Sequence, residues 1–177
     1  YYGYYFNIHP SDIDILIHRS DYLQFKNILN KQGFRHQNFL SPPTSEITFT
    51  KNINSQRFCI DIHFQAVRSA LNPIFRHPID PVKMDNLTSE FWRKSISNNS
   101  FYFLTREYLL FYYCLNLIFH HGLRGTDLIA QIANIISKEN IDWAKFWQLS
   151  EKYQMSNFVY YPLSWSSRLF KVKIPLL

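Results

Sequence analysis

The sequence predicts an α+β protein: a small mixed β-sheet core with flanking helices, followed by an all-helical C-terminal lobe. Three observations carry this. Apolar and polar residues alternate between Asp12 and Ile17 and again in the segments EITFTK and QRFCIDIHF, the period of a strand with one buried face. Beyond about residue 101 the period becomes helical. Between the two, residues 72 to 100 are rich in Pro, Asn and Ser, the composition of a connection. The expected organisation is therefore an α/β core over 1–71, a connection over 72–100 and a helical lobe over 101–177.

The first strand, DIDILI, places Ile13, Ile15 and Ile17 on one face and Asp12, Asp14 and Leu16 on the other. Ser20 is a candidate N-cap for a helix that carries Tyr22, Phe25, Ile28 and Leu29 at helical spacing and stops at Gly33. A β-hairpin follows, with Asn52, Asn54 and Ser55 as turn material. In its second strand Phe58, Ile60, Ile62 and Phe64 face one way, and Arg57, Cys59, Asp61 and His63 the other. In the C-terminal part Thr105 is expected to cap a helix through His120 and His121 that ends at Gly122. Three more helices are expected over 126–139, 142–153 and 158–170. No repeat of fixed period is evident.

The 177 residues, 46% hydrophobic and 18% aromatic, suffice for one sizeable core or two small lobes. Four glycines and 18% charged residues exclude a low-complexity chain. A formal charge of +6 favours polyanionic partners such as nucleotides, RNA or anionic lipid surfaces. The basic residues are scattered, however, and form no tail. Two cysteines, Cys59 and Cys114, build neither a disulfide framework nor a zinc site, and a reducing cytoplasm is the expected location. The longest apolar stretch, 108–119, contains Asn116 and falls short of the ~20 residues a membrane span needs, so it is expected as a buried helix and no membrane span is expected. The chain begins Tyr-Tyr-Gly-Tyr-Tyr, without initiator Met, basic leader or signal-like apolar run, and is expected to be processed or to be a fragment.

The chemistry is expected at an Asp-x-Asp pair on one strand and a third Asp, 47 residues after Asp14, on another. Paired carboxylates offer Mg²⁺ hard oxygen ligands, with phosphate and water completing its octahedron. A third carboxylate allows two ions ~3.5–4 Å apart to stabilise charge at a reacting phosphorus. Against this stands the reading that the Asp pair caps the following helix. Asp61 weighs for the metal: amid FCIDIHF a carboxylate requires a metal or a cation such as Arg57. His63 shares its face and is expected as a hydrogen-bond donor to the site, a phosphate contact, a minor ligand or a structural histidine. His120 and His121, at a helix C-terminus, read as structural.

The segments SDIDILI, Gln32-Gly33-Phe34 and CIDIHF resemble the strand motif, the helix-closing Gly-aromatic pair and the third-carboxylate strand of the uncharacterised bacterial nucleotidyltransferase family, within the DNA polymerase beta-like superfamily. His121-Gly122, Ala133-Asn134-Ile135-Ile136 and Ile141-Asp142-Trp143 resemble that family's helical half, so the resemblance spans nearly the whole chain. It implies Asp12, Asp14 and Asp61 as catalytic, metal-binding carboxylates, with Ser11 and His63 contacting the nucleotide. The cofactor would be Mg²⁺ or Mn²⁺, and the substrate a nucleoside triphosphate whose nucleoside monophosphate passes to an unidentified small molecule, protein or RNA. Departures are the missing Gly-Ser or Lys-Gly triphosphate cradle, expected upstream of residue 1, a missing arginine near Ile8 and His9, and Gln131 in place of Asp. Two other functions follow from these departures and from the charge: a catalytically inactive binding or regulatory module of this fold, or an RNA-binding protein in which Tyr112, Tyr113, Tyr160 and Tyr161 supply aromatic surface.

Overall fold

The computed structural model describes residues 12–36, 46–67, 81–98 and 101–175. The chain divides into two compact units, one within Ile8–Ala66 and the other within Val67–Leu177. The α+β class is borne out, with a four-stranded mixed sheet in the first unit and a largely helical second unit.

In the first unit, β1 (Asp12–Leu16) leads through a short 3-10 turn at Arg19–Asp21 into α1 (Tyr22–Lys31). The residue before α1 is Asp21 rather than Ser20, and neither side chain caps a backbone amide: the Ser20 hydroxyl donates to Asp21 Oδ1 instead (3.0 Å). Helix α1 ends as expected at Gly33, whose φ of +86° lets the chain reverse so that Phe34 N–H reaches Leu29 C=O at 3.0 Å. Then come β2 (Arg35–His36), β3 (Glu46–Ile53) and β4 (Gln56–His63). Asn54 and Ser55 between the last two have φ of +48° and +65°, the left-handed conformation that a two-residue type I′ hairpin demands. The sheet order is β1-β4-β3-β2, with β1 parallel to β4 and the other pairs antiparallel.

One sheet face makes the core. Ile47, Phe49 and Ile62 pack with Ile17, Phe64 and Leu29, and Ile15, Phe25 and Ile60 close around them. Tyr22 meets the Phe64 ring edge-on at 5.7 Å, so α1 covers this face. Each fully buried side chain here contributes roughly 1.5–3 kcal/mol of burial. Of the residues expected on the inner face of β4 and its continuation, Ile62 and Phe64 are buried, Ile60 is half-buried and Phe58, at the sheet's end, is exposed, as is Ile13 on β1.

The second unit opens with α2 (Pro81–Lys94), inside the stretch expected as a connection. Its apolar spacing explains it: Met84, Leu87 and Phe91, at i, i+3 and i+7, are almost fully buried. Pro81 occupies the first turn, where its missing N–H costs nothing. A two-stranded ribbon follows, β5 (Ser95–Asn98) and β6 (Phe101–Leu104), so the C-terminal part starts on a strand. The helices α3 (Arg106–Phe119), α4 (Thr126–Lys138), α5 (Trp143–Lys152) and α6 (Ser156–Phe170) fall where periodicity predicted them, but Thr105, though at the N-terminus of α3, makes no side-chain cap, its hydroxyl having no partner among the described residues. Helix α3 is the buried one: Leu110, Phe111, Cys114, Leu115, Leu117 and Ile118 have no exposed surface, and α4, α5 and α6 pack around it. Asp142 caps α5, its carboxylate accepting from Lys145 N–H (3.1 Å).

Two buried carboxylates tie this unit together. Glu90 accepts hydrogen bonds from Tyr108 (2.5 Å), Tyr153 (2.6 Å) and Lys152 Nζ. Burial by itself would raise its pKa, but these donors hold it at about 2, while the same burial and the facing carboxylate push both tyrosine hydroxyls up. Glu107 accepts from Lys145 Nζ (3.1 Å) and Asp142 N–H (3.2 Å) and lies below the usual range despite its burial. Among the described residues no helix is long and apolar enough to cross a membrane.

Candidate functional site

The parallel register of β1 and β4 decides the geometry of the polar sheet face. Asp14 stands directly opposite Asp61, with Leu16 opposite His63 and Asp12 opposite Cys59. Across the hairpin, Asp61 faces Thr48 and His63 faces Glu46. Because alternate residues share a face, three neighbouring strands bring Asp14, Asp61, His63, Glu46 and Thr48 onto one surface.

Asp61 is half-buried, and its Oδ1 is shielded from solvent with no hydrogen-bond partner among the described residues. Arg57, the cation considered for it, stands at the other end of β4 opposite Asn52 and is not its hydrogen-bond partner. A shielded carboxylate oxygen without a donor costs free energy unless something fills its valence, and Asp14, its neighbour across the ladder, repels it. Hard oxygen donors in this arrangement fit a divalent cation.

His63 joins the two sides of the face. Its Nε2 lies 2.9 Å from Asp14 Oδ1, and its Nδ1 lies 3.7 Å from Glu46 Oε2. The ring is largely buried, whereas the Asp14 side chain is 46% exposed. Glu46 was not singled out from the sequence, although a signal existed. A two-residue turn at Asn54-Ser55 pairs Ile53 with Gln56, and counting back along both strands reaches Glu46 opposite His63.

Asp12 is placed by its backbone on β1, while its side chain and all of Ser11 lie outside the described residues. Among the described residues no three His, Cys, Asp or Glu side chains converge into a group that could hold a metal ion. The Asp14–Asp61 pair is what these residues contribute by themselves. His120 and His121 rings lie 4.7 Å apart at the end of α3, in the other unit.

No curated protein and no solved structure matches the chain. A family model described as uncharacterised nucleotidyltransferase matches residues 9–171, a span that includes β1, the hairpin and all the helices, and the chain accordingly belongs to that nucleotidyltransferase family.

Proposed function

We propose that this chain transfers a nucleoside monophosphate from a nucleoside triphosphate to an acceptor hydroxyl or phosphate, the α–β phosphoanhydride bond breaking and pyrophosphate leaving, and that Asp12, Asp14 and Asp61 are the carboxylates that hold the divalent cations. Membership of a nucleotidyltransferase family supplies the general reaction. The observation that carries the site is the pairing of Asp14 with Asp61 on adjacent parallel strands, with Asp61 Oδ1 shielded and unpartnered. When bound, Mg²⁺ or Mn²⁺ would neutralise triphosphate charge and lower the pKa of an attacking hydroxyl.

The chain's own groups have distinct tasks. His63 orients Asp14 through the 2.9 Å contact. Asp61 completes the carboxylate set and favours loss of the acceptor hydroxyl's proton. The protein does little covalent work in such a displacement; positioning and electrostatics carry it.

The test is incorporation from each of four α-labelled nucleoside triphosphates, with Mg²⁺ or Mn²⁺ and a cell extract, comparing wild type with Asp14→Asn. Wild type should transfer label from one or more of them. Asp14→Asn should lose at least about 100-fold in transfer while melting as wild type does, because it removes charge at constant shape. Equal transfer by the two proteins overturns the site. Metal-dependent triphosphate binding without transfer identifies a nucleotide-binding module instead.

A further inference from the structure

Of the four tyrosines weighed as aromatic surface, Tyr112 and Tyr113 are half-buried, whereas Tyr160 and Tyr161 on α6 are 47% and 50% exposed. They belong to a continuous strip. Asn157, Tyr161, Ser164 and Arg168 follow at steps of four, three and four and so share one face of the helix, with Tyr160 and Lys171 just beside it. Asn157, Arg168 and Lys171 are exposed and Ser164 is half-buried. From Met155 to Leu177 there is no Asp or Glu, while Arg168, Lys171 and Lys173 supply three positive charges. The two tyrosine rings stand edge-to-face at 5.9 Å.

We infer that this face of α6 is a docking surface for single-stranded RNA, the class of acceptor presented to the transferase. The inference rests on the proposed nucleotidyl transfer for its purpose, but not for its binding chemistry. Planar rings with a polar edge accept stacked bases irrespective of sequence, and cations in a segment without Asp or Glu accept phosphates. Asn157 and Ser164 add hydrogen-bonding groups between them. A lipid surface or an apolar protein partner would need aliphatic anchors on the strip. The one exposed aliphatic residue of α6, Leu169, lies about a third of a turn away. At 1.5 Å per residue the helix is long enough to run beside several nucleotides.

The experiment is fluorescence anisotropy of a fluorescein-labelled oligoadenylate titrated with the full chain, over a series of salt concentrations. Wild type should bind single strands in preference to duplex RNA and to phosphatidylserine vesicles. Tyr160→Ser with Tyr161→Ser should weaken binding at least tenfold, and Tyr160→Phe with Tyr161→Phe should restore it. Arg168→Gln with Lys171→Gln should lower the slope of log affinity against log salt by about 0.7 for each cation lost. The side chains are exposed, so melting curves should be unchanged. The inference is overturned if wild type binds no RNA, binds duplex or vesicles as well as single strands, or if the serine variant binds within twofold of wild type. Asp14→Asn should bind RNA as wild type does. If no triphosphate is ever used but the strip behaves as described, the proposed reaction fails and this surface stands.

Discussion

Carboxylates are treated oppositely in the two units. In the helical unit Glu90 and Glu107 are nearly fully buried and saturated with donors: two tyrosine hydroxyls and a lysine for one, a lysine and a backbone amide for the other. On the sheet, Asp14 and Asp61 sit opposite one another on adjacent strands, Asp14 half in solvent and Asp61 with a shielded oxygen that no described residue satisfies. A saturated carboxylate has no valence left for a ligand and acts in architecture. One left unsatisfied beside a second negative charge lowers stability, and evolution retains such a placement where chemistry needs it.

The largest stability effect should come from breaking the saturated set. Glu90→Ala leaves the Tyr108 and Tyr153 hydroxyls buried without their acceptor and should destabilise by about 3 kcal/mol, read by denaturant unfolding. The pH dependence has a definite sign. Folding holds the Glu90 carboxyl at about 2, below its ordinary value of 4.5, so its contribution is complete above that ordinary value and is lost as pH falls towards 2. Glu90→Gln should therefore flatten the acid limb of stability between about pH 4.5 and 2, and an unchanged limb would show that Glu90 is not the group responsible.

A smaller effect tests an exposed carboxylate that caps a helix end with one oxygen. Asp142→Ala removes the cap of α5 and should cost about 1 kcal/mol, with no change in nucleotide transfer. The smallest effect is the sharpest for the comparison. Asp61→Asn relieves the repulsion from Asp14 and gives the site a neutral amide, so it should leave the protein as stable or raise stability by a few tenths of a kcal/mol, while abolishing transfer. If Asp61→Asn melts several degrees lower, Asp61 belongs with Glu90 among the architectural carboxylates and the contrast collapses.

Local pattern made much of this legible. The strand alternation, the turn at Asn54-Ser55, the stop at Gly33 and the helices α3 to α6 each follow from residues within a few positions of one another, because backbone conformation and the period of burial are local. Helix α2 was legible too, in Met84, Leu87 and Phe91, but its Pro- and Asn-rich surroundings concealed it. The candidate site was legible as residue types: Asp12, Asp14, Asp61 and His63 all carry a polar-face signature.

What the sequence by itself determined is which residues share a face of a strand or helix, and so which carboxylates stand together, since this depends on periods of two and 3.6 residues. Only the tertiary structure decided that β1 lies parallel to β4 in the register that sets Asp14 against Asp61, that Glu46 reaches across to His63, and that Glu90 is surrounded by donors while Asp61 Oδ1 has no partner among the described residues. Those outcomes depend on pairings between segments tens of residues apart. Strand register and the supply of donors from other elements are properties of the packed sheet and helices, not of any single stretch of chain.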